Sequence, residues 1–113
     1  MPQLTEHVPE LTEITDGLRF PEGPIALPDG SVIVVEMFGG RLTLVHPHGE
    51  KETVAEIAGG PNGAAIGPDG AVYLCNNGGA FQPVDLDGLL LPGPFDPAAY
   101  IGGRIQRVDI HDG

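Results

Sequence analysis

Residues 21–36 read Pro-Glu-Gly-Pro-Ile-Ala-Leu-Pro-Asp-Gly-Ser-Val-Ile-Val-Val-Glu, and residues 61–76 read Pro-Asn-Gly-Ala-Ala-Ile-Gly-Pro-Asp-Gly-Ala-Val-Tyr-Leu-Cys-Asn. The second stretch is the first displaced by forty positions. Both run Pro-x-Gly, a short and mostly apolar segment, Pro-Asp-Gly, then an apolar strand. A fixed period of this length is the mark of a repeat architecture. Pro-Asp-Gly closes a tight turn, because proline presets φ and glycine supplies the positive φ. Val32 to Val35 and Val72 to Cys75 are short β-branched or apolar runs, as buried strands require.

Working outward, Gly39-Gly40-Arg41-Leu42-Thr43-Leu44-Val45 returns as Gly102-Gly103-Arg104-Ile105-Gln106-Arg107-Val108. That displacement is sixty-three, so the second copy carries twenty-three extra residues between its second and third strands. Lys51 to Ile57 alternates roughly and supplies a fourth, outer strand. The pattern predicts strands near 23–27, 31–36, 41–46 and 51–57, then near 63–67, 71–76 and 103–109.

Four antiparallel strands in about forty residues make one propeller blade. The expected fold is therefore all-β, an incomplete β-propeller with about two blades present. The first blade spans 20–58 and the second 60–113, interrupted by an insertion at 78–102. Leu11 to Thr15, within a latch segment at 11–16, is expected as an outer strand of the last blade. A small sandwich or meander of about seven strands also fits the length, but it does not require the repeated turn chemistry. Rings typically take about four to eight blades, so the chain is expected to be a fragment. It should expose apolar faces unless it assembles with copies of itself.

Composition agrees. Of 113 residues 41% are hydrophobic, enough for a packed core, while 18 glycines and 12 prolines punctuate short apolar runs. No stretch keeps helical apolar spacing over three turns. Sixteen acidic residues against five basic ones give a net charge of -11. Such a charge repels phosphate backbones and anionic lipid, which disfavours nucleic-acid and membrane partners. Cys75, the sole cysteine, excludes an intramolecular disulfide and a cysteine zinc site, and it is expected to be a buried small hydrophobe. Met1 to Glu10 lacks a signal-peptide pattern, and no apolar run is long enough to span a membrane. A cytoplasmic protein is the expectation.

Antiparallel strands alternate direction, so the start of a first strand and the end of a second share one mouth. Glu22, Asn62, Glu36, Asn76 and Asn77 are thereby expected on one face, with the Pro-Asp-Gly turns on the other. The insertion emerges at the same mouth, carrying Phe81, Leu89 to Leu91, Phe95 and Tyr100. It reads either as a lid or as a loop packed on neighbouring blades. His46-Pro47-His48-Gly49 is a turn on the far face. Asp85 and Asp87 fit no calcium-loop pattern, and no nucleophile elbow, phosphate loop or dinucleotide fingerprint occurs.

Phe20-Pro21-Glu22-Gly23-Pro24, followed by Pro-Asp-Gly, an apolar strand and Gly-Gly-Arg-Leu, resembles the opening blade of the gluconolactonase/regucalcin family. Residues 60–70 resemble its following blade, and the likeness spans about residues 11 to 113. The resemblance implies a six-bladed propeller with one divalent cation in its channel, commonly calcium, with zinc, magnesium and manganese as alternatives. It implies a metal-dependent hydrolase of sugar lactones or similar cyclic esters, with Glu22 at the position of a metal ligand. Asn62 stands in the same register one repeat later and would line the site, and Asn76 and Asn77 are further candidates for contact with metal or substrate. The family's other ligands lie in later blades and are absent here, so the fragment is expected to be inactive by itself. Hard cations take oxygen donors of the glutamate and asparagine kind. Two rival readings are a non-catalytic propeller that serves as a binding scaffold and a related propeller esterase or phosphotriesterase.

Overall fold

The computed structural model describes residues 9–110; most of the Met1 to Glu10 segment read above for a signal peptide lies outside them. They form nine strands in three antiparallel sheets, with no helix. The first sheet runs β1 (Pro21–Ala26), β2 (Val32–Glu36), β3 (Arg41–Val45) and β4 (Lys51–Glu56), each beside the next. The second takes β5 (Pro61–Ile66), β6 (Val72–Asn76) and β9 (Arg104–Val108) in the order β5-β6-β9. Between β6 and β9 the insertion forms a separate hairpin, β7 (Pro83–Leu86) with β8 (Leu89–Pro92). The sheets are open and do not close on themselves. No described helix is long and apolar enough to cross a membrane.

One turn chemistry is used three times. Gly30 N–H donates to Leu27 O at 3.0 Å, Gly70 N–H to Gly67 O at 3.0 Å, and Gly49 N–H to His46 O at 2.8 Å. All three glycines have positive φ, at 90°, 83° and 93°. In the first two turns the aspartate also accepts from the backbone two residues on, Asp29 from Ser31 N–H at 2.9 Å and Asp69 from Ala71 N–H at 3.1 Å. Asp69 is held further by the Tyr73 hydroxyl at 2.7 Å and by Arg107 at 2.9 Å. These two partners, the tyrosine hydrogen bond first, pull its carboxyl down to about 2.

The two large sheets stack. On β2, Ile33 and Val35 share a face with Leu42 and Leu44 of β3, since Ile33 pairs with Leu44 and Val35 with Leu42. That face meets Val72 and Leu74 of β6, and Ile57 completes the cluster. Leu42, Val35 and Val72 are fully buried, and each such side chain contributes about 1.5–3 kcal/mol. The other face of β2, with Val32, Val34 and Glu36, looks away from the second sheet.

Residues 12–18 cross that second face as a strap. They form no strand, so the outer strand expected at 11–16 is not found. The strap is held by bonds to the Gly49 turn and to the first residue of β4 rather than by a strand ladder. The Thr15 hydroxyl donates to Gly49 O at 2.9 Å and Lys51 Nζ donates to Asp16 O at 2.5 Å. Between strap and sheet lies a mostly apolar crevice of about 380 Å³, floored by Val32, Val34 and Val45.

Cys75 is exposed, correcting the expectation of a buried thiol. Strand β6 alternates strictly: Val72, Leu74 and Asn76 face the first sheet, while Tyr73 and Cys75 face outward, where the described residues place no further sheet.

Candidate functional site

The first strands of the two large sheets, β1 and β5, lie against each other. A Cβ added at Gly23 would stand 2.7 Å from Ala64 N and 3.0 Å from Gly63 Cα. Gly23 also has φ +57°, so this position combines a close backbone approach with a left-handed conformation that favours glycine. The glycine of Pro-x-Gly therefore sets how near the two repeats can come. Both strands are irregular there, with register shifts between Glu22 and Ile25 in β1 and between Pro61 and Gly63 in β5. Bulges re-aim side chains, and Glu22 and Asn62 sit at these two irregularities.

Glu22, Asn62 and Asn77 line one open concavity of about 510 Å³. Its remaining walls are Phe20, Met37, Phe81 and Pro92. The lining thus holds a single carboxylate, two carboxamides and no Lys, Arg or His. Among the described residues no hydrogen bond or ion pair engages the side chains of Glu22 or Asn62. Their oxygens are free to take a ligand.

Asn77 is differently placed. Its Oδ1 accepts from Gly79 N–H at 2.9 Å and Ala80 N–H at 3.2 Å, and its Nδ2 lies 3.4 Å from Met37 Sδ. The carboxamide caps the turn into the insertion and presents its flank to the concavity. Asn76 does not line the concavity at all. It is 3% exposed, and its Oδ1 accepts from Gly60 N–H at 3.0 Å and Gly78 N–H at 2.8 Å. Its Nδ2 donates to Ala58 O at 2.7 Å and Gln106 Oε1 at 2.9 Å. All of its polar capacity is spent inside the protein.

Glu36, one repeat before Asn76, does the same work in the first sheet. It is 3% exposed and accepts from Arg19 N–H at 2.9 Å and from the Thr43 hydroxyl, with Arg41 Nε 3.5 Å away. Thr43 and Gln106 are themselves equivalent residues of the two Gly-Gly-Arg segments. The polar residue ending each second strand is thus a buried tie to the third strand and the chain entering the first.

The equivalences extend to the concavity. Met37 and Asn77 hold the same register and touch each other, as Glu22 and Asn62 hold the same register and share the lining. Met37 escaped the sequence reading, although its displacement of forty from Asn77 was the available signal. Phe81 and Pro92 belong to the insertion. Its two ends are drawn together where Ile101 N–H donates to Gly78 O at 2.8 Å, so β6 and β9 pair without interruption. The insertion, read either as a lid or as a packed loop, forms one wall of the concavity through Phe81 and Pro92.

As a cation site, the concavity offers hard oxygen donors from Glu22 and Asn62, and this donor type fits calcium or another divalent ion. No group of three or more His, Cys, Asp or Glu is assembled among the described residues. No family model and no curated protein matches the chain.

Proposed function

We propose that the chain supplies two neighbouring blades of a β-propeller whose channel mouth binds a divalent cation and hydrolyses sugar lactones or similar cyclic esters. The observation that carries the reading is the shared concavity: equivalent residues of consecutive repeats, Glu22 and Asn62, line one space with their side chains unengaged. A buried tie or an ordinary turn residue would be hydrogen-bonded within the protein, as Asn76 and Asp69 are.

In this reading Glu22 and Asn62 hold the cation from two adjacent inner strands. A divalent ion bound there supplies Lewis-acid polarisation of an ester carbonyl. The Asn62 amide can also donate to a ring hydroxyl of the substrate and orient it. Phe20, Met37, Phe81 and Pro92 give the ring an apolar wall and limit water on that side. The acidic surface, with a net charge of -11, concentrates cations around the mouth.

The test is calorimetric titration of calcium, magnesium, manganese and zinc into the chain and its Glu22→Gln variant. With few protein donors the expected affinity is weak, on the order of millimolar. Glu22→Gln removes the only lining carboxylate and is expected to weaken binding by about tenfold or more. Equal titrations for the two proteins would refute the role of Glu22.

A further inference from the structure

We infer that the outward face of the second sheet is a docking surface for a second copy of this chain, in a head-to-tail arrangement that repeats the packing already present within each molecule. Inside the chain the face of β6 bearing Val72 and Leu74 lies on the face of the first sheet bearing Ile33, Val35 and Leu42. Displaced by one repeat, Ile33 becomes Tyr73, Val35 becomes Cys75, Leu42 becomes Ile105 and Ile25 becomes Ala65. These four residues lie on the outward face of the second sheet, together with Arg107 at the position of Leu44, which pairs with Tyr73 and is turned onto Asp69; all are exposed, Ile105 at 68% and Tyr73 at 37%. The second sheet therefore presents a counterpart of the surface that it covers on the first, with Arg107 in place of Leu44.

The complement is also present. The face equivalent to Val72 and Leu74 is that of Val32 and Val34 in the first sheet, which the strap overlies. One copy's Val32–Val34 face can dock on another's Tyr73–Ile105 face by the same contact that joins the two sheets of one chain. Such an interface is heterologous, so each copy keeps one face of each kind and assembly continues, into a ring where the rotation closes and an open filament where it does not. The strap occupies the docking position within its own molecule. It is anchored by the Thr15 and Lys51 hydrogen bonds, and these must yield for a copy to dock.

Sedimentation equilibrium of the full chain tests this, with the thiol of Cys75 as an internal probe. The mass is expected to rise above the 11.7 kDa monomer with concentration, and alkylation of Cys75 to slow in parallel. Ile105→Glu, on a side chain exposed enough to leave the fold intact by circular dichroism, is expected to hold the chain monomeric and keep Cys75 reactive. Thr15→Ala combined with Lys51→Ala loosens the strap and is expected to shift association to about tenfold lower concentration. A monomeric mass in both wild type and the strap-loosened variant overturns the proposal. So does association that Ile105→Glu leaves unchanged, or protection of Cys75 that does not follow mass.

Discussion

Asn76→Leu is expected to destabilise the chain by about 3–5 kcal/mol, because it strands buried polar groups on three segments at once. The substitution keeps approximate volume but removes the acceptor for Gly60 and Gly78 N–H and the donor to Ala58 O and Gln106 Oε1. Each buried group left unpaired costs about 1–3 kcal/mol, reduced where water can reach it. Urea unfolding reads the loss directly. Asn62→Leu is the control: Asn62 is exposed and has no side-chain partner among the described residues, so its expected change is within about 0.5 kcal/mol. Equal losses for the two asparagines would contradict the division between a structural residue and a lining one.

Gly23→Ala is the second large effect. The new methyl would meet the backbone of Ala64 and Gly63, which cannot swing aside as a side chain could. The left-handed φ adds about 1–2 kcal/mol for any L-residue, and the overpacking adds about 1–3 kcal/mol. A total loss of about 2–5 kcal/mol is expected in urea unfolding, with β1 and β5 forced apart. Gly63→Ala is the informative partner. Its Cβ would meet only Cys75 Cβ, at an ordinary 3.9 Å, so a cost of about 1 kcal/mol or less is expected. The two glycines of the same motif are thus separated by an experiment that sequence repetition alone would not suggest.

Much of this was legible in the chain because turn chemistry is local. Pro28-Asp29-Gly30 and Pro68-Asp69-Gly70 fix where the strands reverse, and the seven strands of the two large sheets follow from them. The shared concavity was legible in part for the same reason: equal register in consecutive repeats brings Glu22 beside Asn62, while Met37, in the register of Asn77, was overlooked. The β7–β8 hairpin was missed although its signal was present. Asp87-Gly88 between apolar residues is a two-residue turn with both φ positive, at 55° and 87°, closed by Gly88 N–H donating to Asp85 Oδ1 at 2.7 Å.

Other features depend on contacts that a linear pattern does not carry. Val32-Ile33-Val34-Val35 is apolar throughout because the strap overlies one side and the second sheet covers the other. Val72-Tyr73-Leu74-Cys75 looks similar, yet only one of its faces is covered, and Cys75 falls on the open one. Asn76 and Asn77 are adjacent asparagines with the same turn propensity. Strand alternation buries the first and brings the second to the concavity, and only the hydrogen-bond partners reveal which is the tie.

Manganese titration followed by amide NMR of the full chain tests the account most directly, since the ion broadens signals in its neighbourhood. The expected result is simultaneous broadening around Glu22 and Asn62, sparing the turns at Asp29 and Asp69, and abolished in Glu22→Gln. Broadening centred on those turns, or at Glu22 without Asn62, would contradict a common mouth built from equivalent residues of two repeats.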